Sequence, residues 1–120
     1  MIEKMSNDEL EKNCLFLIGK TCSDLGQPNK SDEDKLQLSL SLSVDLKTRY
    51  SKFNWDTVEF AFENGVRDSE EFHLCPRNWC KWLNTMKEKI WNGWYNQENG
   101  NTHLIDKRLQ RILSTQKLIN

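Results

Sequence analysis

Between Lys35 and Leu46 every second residue is apolar, and this alternation constrains the fold more than any other feature. The apolar positions are Leu36, Leu38, Leu40, Leu42, Val44 and Leu46. Strict alternation over this length is typical of a half-buried strand, although Leu and Ser favour strands less than Val, Ile or Thr do. The preceding Ser31-Asp32-Glu33-Asp34 is instead a good helix start, because acidic residues stabilise the first turn of a helix.

As a helix, the same run has two apolar tracks on nearly opposite sides, one at positions 36, 40 and 44 and one at 38, 42 and 46. A helix that is apolar on two sides is typical of the buried centre of a fold. The rest of the chain offers no partner strand, and a lone strand would leave its backbone groups unpaired. The sequence therefore predicts an all-α fold with a central Leu-rich helix over about 32–52.

Two further helices are predicted before and after this segment. Ser6 and Glu9 fit a capping box that opens a helix over about 7–25, and Gly26 fits its end. Asn54 is a good N-cap for a short helix over about 55–64. Gly65 fits a position of positive φ after that helix, where a residue without Cβ is favoured.

Two more helices complete the predicted bundle of about five. Pro76 is favoured in the first turn of a helix, and apolar residues at steps of three and four predict that this helix covers about 76–95. Trp82 of this helix is expected to pack against Phe62 of the preceding one. Thr102 is a candidate cap for a last helix over about 103–118. Because no long linker divides the 120 residues, residues 1–120 are expected to be a single helical domain.

The chain has no run of about 20 apolar residues and opens on no signal segment, so we expect a cytoplasmic protein without membrane contact. Its four cysteines are Cys14, Cys22, Cys75 and Cys80. In a reducing compartment, buried thiols are the usual state of such residues. His73 with Cys75 and Cys80 leaves a metal site as the alternative, but the spacing matches no common zinc motif. No cofactor is therefore predicted.

No arrangement of residues predicts catalysis. General acid–base chemistry needs a positioned His or perturbed carboxylates, and both His73 and His103 lie in polar stretches near helix starts. A phosphate-binding glycine loop and a zinc-protease motif are both missing from the sequence. We therefore expect that the protein is not an enzyme.

Residues 61–83 contain a recognisable pattern. It consists of Ala61-Phe62-Glu63-Asn64-Gly65-Val66-Arg67, then Phe72, Trp79 and Lys81-Trp82-Leu83. In this pattern, over about 15–85, the chain resembles small helical proteins of phages and prophage-like elements of Bacteroidetes. It departs from them at 73–76, where their Trp helix usually begins with Gly-Leu-Asn/Ser. The resemblance implies a phage-type accessory protein, in the host cytoplasm, with a role near DNA replication or its regulation, and it carries over no catalytic residue.

The charge of the chain is unevenly distributed. Residues 1–75 have 9 Lys+Arg and 15 Asp+Glu, a net charge of −6, whereas residues 76–120 have 8 and 3, a net charge of +5. Such asymmetry indicates a charged partner, unless the two halves neutralise each other. The predicted binding residues are Lys87, Trp91, Arg108, Arg111 and Lys117. Among these, Trp91 lies about 100° from the apolar stripe of its helix and is expected to be exposed.

The basic half leaves several partners open. A protein partner is favoured, nucleic acid is the second candidate, and a homodimer is the third. Exposed aromatic rings beside basic residues would suit stacking on unpaired bases. The alternative function is a phage-encoded inhibitor of a host protein, either a defence or a transcription component. That inhibitor would dock through an apolar surface containing Trp91, Leu104 and Leu118.

Overall fold

Five α-helices and a short 3-10 helix, Ile2–Lys4, make up the part of the chain that the structure describes. This computed structural model describes residues 1–26, 30–68, 74–98 and 107–116, with all their side chains except those of 68, 94–98 and 107–108. The helices are α1 (Asn7–Asp24), α2 (Asp32–Arg49), α3 (Trp55–Asp68), α4 (Pro76–Glu98) and α5 (Lys107–Thr115). No strand occurs within these ranges, so the predicted all-α class is confirmed.

Side-chain caps begin α1 and α2 where the sequence predicts them. The Ser6 hydroxyl accepts a hydrogen bond from the Glu9 backbone N–H at 3.2 Å, and the Ser31 hydroxyl accepts one from the Asp34 N–H at 3.1 Å. Each bond satisfies a backbone donor that the first turn of a helix leaves without a partner. Gly26, with φ 77°, follows α1 in the left-handed region and is the one described glycine with positive φ.

The alternating segment is a helix that buries two of its serines, because their hydroxyls bond back to the same helix. Ser39 and Ser43 each donate a 2.7 Å hydrogen bond to the carbonyl three residues earlier. A serine hydroxyl satisfied in this way can be buried at little cost, and both serines are buried. The helix therefore buries Ser39 and Ser43 as well as Leu42 and Leu46.

The prediction that α2 is buried on two sides is wrong for one of them. The track of positions 38, 42 and 46 packs inward, with Leu42 and Leu46 fully buried. The other track is open to solvent, since Leu36 is 50%, Leu40 42% and Val44 59% exposed. No described element covers this second side, and α2 ends at Arg49 rather than near 52.

The predicted end of α3 at residue 64 is also wrong, because the helix continues through Gly65 to Asp68. The reason for a glycine at 65 is tertiary rather than conformational: a Cβ there would overlap the indole ring of Trp82. The predicted contact between α3 and α4 is confirmed, since the rings of Phe62 and Trp82 pack edge to face with centroids 5.5 Å apart. The two helices thus meet closely at Gly65.

The end of α5 is attached to the start of α3 through one buried side chain. Gln116 is 1% exposed, and its Oε1 accepts hydrogen bonds from the Asn54 N–H at 2.6 Å and the Thr57 hydroxyl at 2.7 Å. Its Nε2 donates to the Lys52 carbonyl. The structure describes the last helix over Lys107–Thr115. The predicted cap, Thr102, lies outside the described residues.

Candidate binding face

The orientation of α4 is set by a buried stripe that runs from Trp79 to Ile90. Trp79, Leu83, Met86 and Ile90 are at most 1% exposed and lie in the centre of the core. At about 100° per residue, this stripe turns the side chain of Trp91 away from the core. Trp91 is accordingly 56% exposed, as its helical position predicts. Lys87, one turn earlier and on the same side of α4, is also exposed.

Polar contacts to α2 hold α4 in this orientation. The indole N–H of Trp79 donates a 2.8 Å hydrogen bond to Asp45 Oδ2, and the Tyr50 hydroxyl donates one of 2.8 Å to Asn84 Oδ1. A rotation of α4 about its own axis would break both hydrogen bonds. The side of α4 with Lys87 and Trp91 therefore belongs to a firmly packed helix.

Helix α5 packs against α4 at Gly93. A Cβ on Gly93 would lie 2.6 Å from Leu113 Cδ1, so the missing side chain allows the two helices to approach closely. At about 100° per residue, Gly93 lies about 160° around α4 from Trp91, and exposed Arg111 lies as far around α5 from Leu113. This contact therefore does not bring Arg111 beside Trp91. We define the basic–aromatic face as Lys87 and Trp91 of α4.

The remaining two predicted binding residues are not located by the structure. Lys117 lies outside the described residues, and of Arg108 only the backbone, in α5, is described. The residues of the predicted inhibitor surface other than Trp91, namely Leu104 and Leu118, also lie outside the described ranges. The described part of the chain thus places three of the five predicted residues, two of them one turn apart.

The ion pairs among the described residues do not involve the predicted binding residues Lys87 and Arg111. Two ion pairs occur among the described residues, Lys20 with Glu63 at 3.4 Å and Lys52 with Glu3 at 3.2 Å. Both lie within the acidic residues 1–75. Lys87 and Arg111 form no ion pair with the described part of the chain. Both side chains are exposed.

A polar cluster between α2 and α4 is a second group of interest that sequence reasoning missed. Cys80 Sγ lies 3.8 Å from Asp45 Oδ2, next to the Tyr50 hydroxyl. Burial, with the nearby Asp45 carboxylate, raises the pKa of the Cys80 thiol. Burial also raises the pKa of Tyr50 to about 12. A protonated thiol is a poor nucleophile, and hydrogen bonds of Trp79 and Tyr50 connect the two helices at this point. The sequence signal for this cluster is Asp45, which is the one acidic residue between Lys35 and Leu46.

Groups for other chemistry are limited in the described ranges. Cys14 and Cys22 are buried and unpaired, and Cys75 and Cys80 are half-buried thiols. No group of three or more His, Cys, Asp or Glu in the described ranges could hold a metal ion. His73 and His103 lie outside those ranges. Among the described helices, none is both long and apolar enough to cross a membrane.

Comparison with known proteins adds no relative to this description. Neither protein-family models nor curated proteins match the sequence, and no solved structure matches the chain. The function is therefore argued from the side chains of the basic–aromatic face.

Proposed function

We propose that this chain is a non-enzymatic accessory module that binds single-stranded DNA through the basic–aromatic face. The observation that supports the proposal is the pairing of an exposed indole, Trp91, with the exposed cation Lys87 one turn away. The phage resemblance of residues 61–83 suggests DNA replication or its regulation as the setting. The net charge of +5 over residues 76–120 adds a general attraction for a polyanion.

Each part of this face suits a different part of a nucleotide. An exposed indole can stack on an unpaired base of any identity, at about 1–3 kcal/mol per base. A lysine or arginine next to it contacts phosphate and releases a condensed counterion. Because bases are accessible for stacking only when they are unpaired, this combination favours single strands over duplexes.

A protein partner is the second candidate, and the exposure of Trp91 also supports it. Trp and Arg are enriched among the residues that contribute most to protein interfaces. Such a partner would have an acidic surface opposite Lys87 and an apolar pocket for Trp91. In this case the protein would act on a component of replication or, in the inhibitor alternative, on a host defence or transcription protein.

The proposal is tested by the binding of labelled single-stranded and duplex oligonucleotides between about 50 mM and physiological salt. We expect single strands to bind more tightly than duplexes. Trp91→Ala should weaken single-strand binding by about five- to a hundredfold, the equivalent of about 1–3 kcal/mol. Lys87→Ala should reduce the slope of log K against log salt by about 0.7.

Matched variants separate this face from the rest of the surface. Lys4→Ala removes an exposed lysine from the opposite end of the chain and should leave binding almost unchanged. Trp91→Phe keeps an aromatic ring and should retain most of the affinity that Trp91→Ala loses. The absence of detectable binding at about 50 mM salt would refute the nucleic-acid proposal, because phosphate contacts are strongest there.

A further inference from the structure

Helices α1 and α2 expose an unusual amount of apolar side chain to solvent. Of the seven large apolar side chains that are exposed in the described ranges, five belong to these two helices. We call them the hairpin patch: Leu15, Phe16, Leu36, Leu40 and Val44. Phe16 is the most exposed of all, at 77%. Contiguous exposed apolar surface of this kind is typical of an interaction site.

The contacts of neighbouring residues show that the patch is continuous. Lys47 of α2 reaches the Met5 carbonyl, 2.7 Å away, just before α1 begins. On a helix, Leu36 and Leu40 point within about 20° of Lys47, and Val44 points about 60° further from the core. The exposed apolar residues of α2 therefore lie beside α1, along the outer side of the groove between the two helices.

The matching side of α1 faces the same groove. Cys22 lies near α2, since the charges of Lys30 and Lys35 oppose the rise that burial causes in the pKa of its thiol. Leu15 points within about 20° of Cys22, on the side away from the core. Because α1 and α2 run antiparallel, from the Met5–Lys47 contact at one end to Cys22 and Lys35 at the other, Leu15 lies level with Leu40.

The order of residues along α2 favours a second copy of this chain as the molecule that covers the hairpin patch. Glu33, Leu40 and Lys47 follow one another at intervals of seven residues, so all three lie on one side of the helix. If two copies of α2 pair antiparallel about Leu40, each Leu36 meets the Val44 of the other copy. Each Glu33 then meets the Lys47 of the other copy. The exposed surface of α2 is thus complementary to itself, as a two-fold interface requires.

We infer that the hairpin patch joins two copies of this chain in an antiparallel two-fold dimer centred on Leu40. A parallel arrangement would place Glu33 against Glu33 and Lys47 against Lys47, and like charges oppose such a pairing. Glu33 is exposed and forms no ion pair with the described part of the chain. Lys47 uses one N–H for Met5, which leaves two of its three donors for the partner.

The size of the patch indicates a reversible dimer. From Glu33 to Lys47 it is about 21 Å long at 1.5 Å per residue, and two helices about 10 Å wide give it a breadth of about 20 Å. This footprint is at the small end of specific protein interfaces. The dimer should therefore dissociate on dilution, which makes its stability measurable.

The first test is sedimentation velocity of the full chain between about 1 and 100 μM, a range that covers weak dimers. The wild type should shift from monomer towards dimer as concentration rises. Leu40→Glu should remain monomeric, with an unchanged far-ultraviolet circular dichroism spectrum because the side chain is 42% exposed. Glu33→Lys should raise the dissociation constant about tenfold, whereas Glu88→Lys, the same charge change on exposed α4 surface, should not.

The second test is disulfide cross-linking, which determines the orientation of the helices. Leu40→Cys should form a covalent dimer on mild oxidation, because the two copies of residue 40 face each other across the axis. Leu36→Cys should not, since its copies would be about 12 Å apart along the helix, beyond the approximately 7 Å Cα separation that a disulfide spans. The wild-type protein, oxidised in the same way, is the control for cross-links through the native cysteines.

Three results would overturn the inference. One is a wild type that stays monomeric at about 100 μM, which would leave the patch to a different molecule. Another is a dimer that Leu40→Glu does not weaken. The third is equal cross-linking through Leu36→Cys and Leu40→Cys, which would indicate a parallel pair. None of these outcomes depends on the basic–aromatic face, because Trp91 variants leave the hairpin patch intact.

Discussion

Replacing Gly65 with alanine tests the packing of α3 against α4 most sharply. Inside a helix, a glycine-to-alanine change normally stabilises a protein by about 1 kcal/mol, since alanine has the higher helix propensity. At Gly65 the new Cβ would overlap the indole ring of Trp82, which is 7% exposed and packs on Phe62. The two effects have opposite signs, so the sign of the change in unfolding free energy decides between them.

The structure favours the steric effect. Overpacking of a closely packed core costs about 1–3 kcal/mol, and the Cβ would meet the fused ring system of Trp82 rather than a flexible chain end. After subtraction of about 1 kcal/mol for propensity, we expect Gly65→Ala to lower the free energy of unfolding by up to about 2 kcal/mol. For a domain of this size, that corresponds to a fall in Tm of several degrees.

The assay is urea unfolding followed by tryptophan fluorescence, with Gly19→Ala as the matched control. Gly19 also lies inside a helix, but a Cβ there would meet nothing within 4 Å. Gly19→Ala should therefore stabilise the protein by about 0.5–1 kcal/mol. In a Trp82→Leu background, the indole is gone and Gly65→Ala should become less damaging, a coupling that a double-mutant cycle measures.

The reasoning would be refuted if Gly65→Ala stabilised the protein as much as Gly19→Ala does. An equal loss of stability with and without the Trp82 indole would also contradict it, because the clash would then have another source. The first result would mean that α3 and α4 are further apart than the structure shows.

Three other predictions concern buried polar groups. Gln116→Ala should lower stability by about 1–3 kcal/mol in urea unfolding, because Asn54 and Thr57 lose their acceptor. Stability should fall as pH rises from about 10 to 12, because burial raises the pKa of Tyr50 in the folded protein from its ordinary value of 10.0 to about 12. Tyr50→Phe should flatten that fall, and an equally steep fall in this variant would contradict the prediction. Burial raises the pKa of the Cys14 thiol to about 12. Thiol reagents at pH 8 should therefore leave Cys14 unmodified until the protein unfolds, as measured by mass spectrometry. Rapid labelling of Cys14 in the folded protein would contradict this.

Local signals made most of the helical fold predictable from the sequence. The cap of α1 at Ser6 and the turn at Gly26 depend on residues within a few positions of each other, and both were predicted. The role of Gly65 was not predictable in this way. Its requirement arises from Trp82, seventeen residues later, and becomes visible only when α3 and α4 pack together.

The exposed side of α2 illustrates the same limit. Leu36, Leu40 and Val44 form an apolar track whether or not another helix covers them, so the pattern alone cannot distinguish burial in a core from an interface. Trp91, in contrast, was placed correctly because the buried stripe of its own helix fixes the direction of its side chain. The charge asymmetry was readable from composition, but the absence of ion pairs to Lys87 and Arg111 among the described residues required the fold.

The most direct test of the proposed function compares two charge reversals in their binding to a labelled single-stranded oligonucleotide at about 50 mM salt. Lys87→Glu alters the basic–aromatic face, and Lys12→Glu makes the same change in net charge at an exposed lysine of α1. The proposal predicts that the first variant binds at least tenfold more weakly than the wild type, while the second stays within about threefold. Equal weakening of both variants, or no binding by the wild type, would contradict it.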